Sequence, residues 1–409
     1  MNQEAHAAHG GAWSARLDKL LPILAGAGLL GSLAGAAVDL RHTLFAYLVA
    51  FLFGLTIVLG MLFFVMIQHL TDAGWSTVLR RPAEQFLAAL PVLALLLLPV
   101  LLGMQTLYKW TNESEHANPL YLVKKPFLNV PFFIFRAALY FLIWILLARI
   151  VRGKSLAQDA SGDPKLSLSM RRASAPGMYL YAFSVSFAGI DWAMTLDYHW
   201  FSTMYGVYIF AGAAAAAMAT LSIVSVWLHG GPLKGKLGDA QFHDLGKLLF
   251  AFCCFWAYIA FSQFFLIWYA NVPEETGWML ERWNGDWKAI STLLALSMWV
   301  VPFVVLMPAA KKRHFPTLVG ISSLVLFAHY VDLYWLVMPV AHPEHVPFGL
   351  LWVDAATLCL VAGALGIAVL RALKAHPLYP VNDPRLNEAL IAAHGHGHEE
   401  HAHPAAAGD

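Results

Sequence analysis

The chain has 409 residues, of which 59% are hydrophobic and only 12% charged, and its mean hydropathy is +0.61. A soluble domain carries about twice that charged fraction, whereas recurring apolar runs of about 20 residues mark a polytopic all-α membrane protein. The formal net charge of +1 argues against a nucleic-acid partner.

The chain opens on "MNQEAHAAHGGAWSARLDKL", a polar stretch too long to precede the apolar core of a cleavable signal peptide. Residues 1–19 are expected to form an N-terminal tail. Ten apolar spans follow, over about 20–38, 43–70, 84–106, 130–151, 176–196, 202–228, 244–271, 287–308, 316–340 and 348–373. They make residues 20–373 a single domain of ten transmembrane helices, and 374–409 a His-rich tail expected to be flexible. An even number of spans puts both termini on one side. Of the 26 Lys and Arg, 19 fall on that side, about 6 fall opposite, and Arg136 lies within span 4. Positive residues are retained on the cytoplasmic side, so both termini are expected in the cytoplasm.

The longest cytoplasmic connection, 152–175, is rich in Ser, Gly and charge and is expected to be flexible. On the opposite side, residues 108–129 and 271–287 are rich in Trp, Tyr, Asn and Glu, which suits a lid or docking surface. Span 5 runs 15 residues from Pro176 to Asp191, and span 9 runs 16 from Pro316 to Asp332. Span 2 follows "DLRH" and ends at His69; span 6 follows "DYH" and ends at His229. These correspondences predict two four-helix bundles, spans 2–5 and 6–9, flanked by spans 1 and 10. Chance similarity within an apolar alphabet is the competing account. Gly31 and Gly35 form a G-x-x-x-G pair, which permits close helix packing within the chain or against a partner.

Charge inside a membrane is expensive and is retained where it is functional or paired. Asp191 lies in the outer third of span 5. His329 and Asp332 lie mid-span in span 9, three residues apart and so on one helix face. Asp354 in span 10 and Gln263 in span 7 lie in the outer half. His69, Asp72 and His229 stand at cytoplasmic helix ends, with His243 and Asp244. A His–Asp pair at low dielectric can share and pass a proton. Asp191, His329, Asp332, Asp354, His69, Asp72 and His229 thus form a candidate proton path, the helix-end histidines admitting protons and the carboxylates carrying them outward. On this basis Asp191→Asn is expected to leave assembly intact and weaken proton coupling or turnover. The plain alternative for the helix-end histidines is an interfacial position without chemistry. For Trp192, Tyr198, Trp200, Tyr205 and Tyr208 it is the aromatic belt at the membrane surface; a quinone head group would use the same rings.

Cys253, Cys254 and Cys359 all lie in apolar runs, with no C-x-x-C or C-x-x-C-H. The chain has no sequence basis for an iron–sulfur cluster or c-type haem of its own. His69 and His229 sit at the interface and His329 lacks a partner at its depth, which argues against a bis-histidine haem. The tail "HGHGHEEHAH" (394–403) carries metal-binding side chains on flexible Gly spacing, so no preformed metal site is expected.

Two stretches, "FAGIDWAMTLDYHWFSTMYGVYIFAG" (187–212) and "FSQFFLIWYANVPEETGWMLERW" (261–283), carry a family likeness; W-Y-A-N-x-P-E-E-T at Trp268–Thr276 is its most specific part. The chain resembles the second of the two large membrane subunits of alternative complex III, the bacterial quinol:cytochrome c oxidoreductase. That subunit is related to the polysulfide-reductase membrane-anchor (NrfD-like) family. The resemblance extends over essentially the whole chain. It implies an inner-membrane complex with a second NrfD-like membrane subunit, a periplasmic iron–sulfur protein, and multihaem and monohaem cytochromes c, and it allows a terminal oxidase as a further partner. It implies quinol oxidation near the periplasmic side and no haem or iron–sulfur cluster on this chain. For this subunit it puts a proton path or scaffold ahead of the oxidation itself, with quinone or quinol the one cofactor allowed. A quinone site on this chain is then expected near Asp191, Trp192, His199, Glu274, Glu275 and Arg282. Whether the chain is itself catalytic stays open. So do two other classes: a secondary transporter using its buried carboxylates, and a purely structural membrane anchor.

Overall fold

The computed structural model describes residues 13–394. The start of the N-terminal tail and the His-rich stretch after 394 lie outside the described residues. Ten long helices run in chain order: α1 (Ala15–Val38), α2 (Leu40–Leu70), α3 (Thr77–Leu102), α4 (Val130–Ser161), α5 (Lys165–Trp192), α6 (Tyr205–His229), α7 (Asp239–Ala270), α8 (Trp287–Leu306), α9 (Phe315–Val340) and α10 (Phe348–Ala375). Among the described residues there is no strand. All but α5 are long and apolar enough to cross a membrane, and the chain is a multi-pass helical membrane protein. α5 has the length, but Lys165, Arg171, Arg172 and its serines dilute its apolar residues.

Side-chain caps set several helix starts. The Asp39 carboxylate accepts from the His42 backbone N–H at 2.9 Å and opens α2. Asn129 accepts from Phe132 N–H at 3.0 Å and opens α4, with Pro131 in its first turn. The expected flexible connection 152–175 is instead a helical hairpin: α4 continues to Ser161 and α5 begins at Lys165. Ala, Leu, Lys and Gln in this stretch are good helix formers, so polarity there marks the end of the apolar layer rather than the end of the helix. Gly162, at φ 67°, makes the turn, and the Gln158 amide donates to Asp163 O at 3.1 Å and to Ser167 Oγ at 2.7 Å.

α2 and α6 form the buried centre. Ala211–Ala219 is buried throughout, and small residues let the two helices close on each other: a Cβ on Gly60 would lie 2.2 Å from the Ala213 carbonyl oxygen. α5 and α9 also pack on both of them. α1 lies outermost against α10, where Gly31 meets Ala356 and Gly35 meets Val353. The G-x-x-x-G pair therefore packs within the chain. Ile23, Leu30 and Leu33 on the same helix are exposed.

The residues from 376 to 394 fold back over one end of the bundle, called here the terminal face. Asn382 donates to Asp159 O at 2.6 Å, Val381 N–H to Asp159 Oδ1 at 3.0 Å, and Gln241 to Ala389 O at 2.6 Å. Arg80 pairs with Asp383. Where hydropathy suggests a flexible tail from 374, these polar anchors at helix ends hold the segment down. At the opposite end, the far face, residues 108–129 form short helices that close on Tyr198. Its hydroxyl donates to Glu115 Oε2 at 2.5 Å and accepts from Asn118 at 2.9 Å, and Lys124 donates to its carbonyl at 2.6 Å. Burial and the Glu115 carboxylate push the Tyr198 hydroxyl up to about 12.

Candidate functional site

The intramembrane carboxylates divide into two kinds. Asp191, fully buried near the end of α5, is gripped by Arg136 of α4: Nε donates to Oδ2 and Nη2 to Oδ1, both at 2.7 Å. The Tyr140 hydroxyl adds a third bond at 2.7 Å. Arg136 also donates to Phe127 O at 3.0 Å and lies over the Phe127 and Phe132 rings. A two-pronged carboxylate–guanidinium pair with its remaining valences filled is the arrangement in which a buried charge pair is tolerated. Trp192 next to it is buried among Tyr140, Phe141 and Trp144.

Asp332 is also buried, on α9, but among the described residues it meets no cation. The Tyr208 hydroxyl of α6 donates to Oδ1, and the Trp256 indole of α7 donates to Oδ2 at 3.0 Å. His329, one turn earlier, takes its partner from α2: Nε2 lies 2.8 Å from Thr56 Oγ1, and its Nδ1 has no hydrogen-bond partner. Neither ring nitrogen reaches Asp332 as an ion pair or hydrogen bond. Both side chains face α6 at Gly212, where an added Cβ would lie 2.9 Å from the His329 ring and 3.6 Å from Asp332 Oδ2. Gly212 therefore makes room for both.

Beside this pair a cavity of about 670 Å³ opens between α6, α7, α8 and residues 279–283. Its walls are largely aromatic, and Tyr208 and Trp256 belong to them, so the same two side chains touch the cavity and hold Asp332. Gln263, which accepts from Ser202 at 3.1 Å, and Arg282 supply further polarity. A widened π turn in α8, Leu296–Val300, borders the cavity at Trp299; such turns recur at functional sites. Arg282 is 1% exposed, stacks on Trp278, and spends its donors on carbonyls: Trp278 O at 3.0 Å, Trp335 O at 3.1 Å and Leu336 O at 3.0 Å. Among the described residues it has no ion-paired carboxylate. Burial holds its pKa down at about 10. The size, apolar lining and few convergent polar groups are those of a small-molecule site.

The other sequence-derived positions lie apart from this cavity. His199 is exposed, 3.3 Å from Asp197. Glu274 and Glu275 sit in the first turn of a short far-face helix, Pro273–Glu281, with Glu274 exposed. Asp354 of α10 stands beside His42, treated below. His69, Asp72 and His229 lie at the terminal face. His69 is buried beside a polar cavity of about 270 Å³, Asp72 pairs with Arg385 at 3.0 Å, and His229 packs against Phe242 and Phe315. None of the three bonds to His329 or Asp332. Thus, of the residues named for a quinone, Arg282 alone lines the cavity. Tyr208 was visible only as a member of an aromatic belt, and Trp256 and Gly212 carried no individual signal. Arg136 did carry one: it is a cation well inside span 4, at a depth matching Asp191. Among the described residues, no group of three or more His, Cys, Asp or Glu side chains is arranged to hold a metal ion.

No protein-family model and no curated protein matches the chain.

Proposed function

We propose that the chain is an integral membrane subunit of a quinol:cytochrome c oxidoreductase of the alternative complex III kind. In this proposal it takes a quinol head group beside Tyr208, Trp256 and Arg282, and Asp332 handles the proton. The observation that carries the proposal is the double role of Tyr208 and Trp256, which line an aromatic cavity and both donate to one buried carboxylate without a counter-ion. The fold supports it in its finer detail: α5 as a tenth span, bundles α2–α5 and α6–α9, and α1 and α10 outside them agree with which helices touch. The distribution of Lys and Arg supports cytoplasmic termini in a bacterial inner membrane, which makes the far face periplasmic.

A bound quinol supplies two electrons and two protons. Tyr208, its hydrogen directed at Asp332, accepts the proton of one quinol hydroxyl as its own hydrogen passes to Asp332, and the proton of the second hydroxyl leaves to water at the cavity mouth. Trp256 fixes the second carboxylate oxygen. Arg282 places a positive charge at the cavity wall, where it favours charge developing on a ligand oxygen. The electrons leave to partner centres, since this chain is proposed to carry no haem or cluster. Those partners are a second NrfD-like subunit, a periplasmic iron–sulfur protein and cytochromes c, with a terminal oxidase as a further acceptor.

The test is gentle purification followed by a reduced-minus-oxidised visible spectrum. A co-purifying c-type haem signal, reduced by added quinol in the native protein and not in Asp332→Asn, is expected. Intact protein with no haem signal would instead favour a transporter.

A further inference from the structure

At the far face, away from the Asp332 cavity, three titratable side chains form a file from the surface into the bundle. His342, half-buried between α9 and α10, places Nε2 3.1 Å from Nδ1 of His42. His42 is fully buried in the first turn of α2, and its backbone N–H is held by Asp39. On the other side of its ring, Nε2 lies 3.5 Å from Asp354 Oδ2, a few tenths of an ångström beyond hydrogen-bond contact. Asp354 is 4% exposed, and among the described residues neither of its oxygens has a hydrogen bond. The other charged or titratable groups around the file are Asp39 and Arg41 at the start of α2, and Tyr330 and Tyr334 of α9. Arg41 turns outward to Val340 O at 3.2 Å. The two tyrosines stand within electrostatic reach of Asp354, with unpartnered hydroxyls.

We infer that His342, His42 and Asp354 form a proton-exchange port between the far-face solution and a buried carboxylate. Asp354, with no hydrogen bond to either oxygen among the described residues, is the acceptor on which the file ends. The two imidazoles can deliver a proton to it without moving far. Water protonates His342 Nδ1; the hydrogen on His342 Nε2 passes to His42 Nδ1; the hydrogen on His42 Nε2 passes to Asp354. Each ring gains one proton and loses one, both end neutral in the other tautomer, and the net event is uptake of one proton by Asp354. Reversed, the same steps release a proton outward. The assignment names the outer end of the proton role proposed above, but its geometry involves neither the cavity nor a quinol.

The test reads Asp354 directly. Time-resolved infrared spectra of the full chain in nanodiscs are recorded after a drop from about pH 8 to about pH 3, a window spanning the ordinary histidine and carboxylate ranges. The carboxylic C=O band of Asp354 is assigned as the one that Asp354→Asn removes. In the native protein it is expected to rise within the mixing time. In His342→Gln and His42→Gln it should rise about tenfold more slowly or worse, to an unchanged final amplitude. Zn²⁺ provides the check that needs no variant. Zn²⁺ bound to the half-buried His342 ring would occupy the nitrogen that takes the proton from water, so Zn²⁺ should slow the same band in the native protein. Unchanged rates in both variants and with Zn²⁺, or no titrating band that Asp354→Asn removes, would overturn the port. Because the band is read on this chain alone, loss of the quinol proposal would leave the result standing.

Discussion

Arg136 and Asp191 are joined by two 2.7 Å hydrogen bonds in a buried, two-pronged ion pair. Among the described residues, Asp332 on α9 has only the neutral donors Tyr208 and Trp256. Sequence spacing made the two aspartates equivalents; their surroundings give them different work. The first staples α4 to α5, and the second is the carboxylate proposed to take a proton from the quinol.

Removing the charge at 191 strands a buried guanidinium. Asp191→Asn is therefore expected to cost about 3–5 kcal/mol and to lower the yield of folded protein. This revises the sequence-based expectation of intact assembly. The paired change Arg136→Met with Asp191→Leu should recover most of the loss, because an apolar pair of similar volume leaves no unpaired charge. Thermal unfolding in detergent distinguishes the single from the double variant.

At 332 the expectation is reversed. Asp332→Asn turns one acceptor into a donor facing Tyr208 or Trp256, a cost of about 1–3 kcal/mol, so the protein should still fold. Quinol-dependent turnover of the purified complex should fall by about a hundredfold or more. Tyr208→Phe should reproduce much of that loss at a similar cost in stability, because it leaves Asp332 Oδ1 without its donor.

Gly212 is a packing test of the same region. Its Cα faces the His329 ring so closely that Gly212→Ala must displace it. The expected penalty is about 1–3 kcal/mol, together with loss of the His329–Thr56 bond. An unfolding midpoint equal to that of the native protein would show that the helices yield at this point.

His342 gives a pH signature. Burial, and then the neighbouring His42, hold its pKa below the ordinary histidine value. The folded state thus binds this proton less readily than the unfolded state does. Stability is fully present above the unfolded value and falls as pH drops below about 6.5. His342→Gln should flatten that acid limb, measured as the unfolding midpoint across pH.

Much of the fold was legible because lipid demands long apolar helices, and these are visible one residue at a time. The helical hairpin at 152–175 and the packed segment 376–394 were not, because hydropathy is silent once a chain leaves the apolar layer. At the site, Asp191, His329, Asp332 and Asp354 stood out as polar residues in apolar surroundings, and Arg282 was named through the family resemblance. What surrounds them did not, because the partners lie far along the chain: Arg136 is 55 residues from Asp191, and Tyr208 is 124 from Asp332. Tyr208 and Trp256 looked like any aromatic in a membrane protein, since an indole or phenol pointing at a carboxylate has the same letter as one pointing at lipid. His42 and His342 are 300 residues apart, and no local pattern joins them.

The most direct measurement of the central claim is photolabelling of the membrane-embedded protein with an azido-quinone, followed by peptide mapping with and without excess unlabelled quinol. The expected result is label on residues 254–264 and 279–299, the two segments that supply most of the cavity wall, displaced by quinol and diminished in Trp256→Ala. Label confined to other segments, or label that quinol does not displace, would contradict a quinol site beside Asp332.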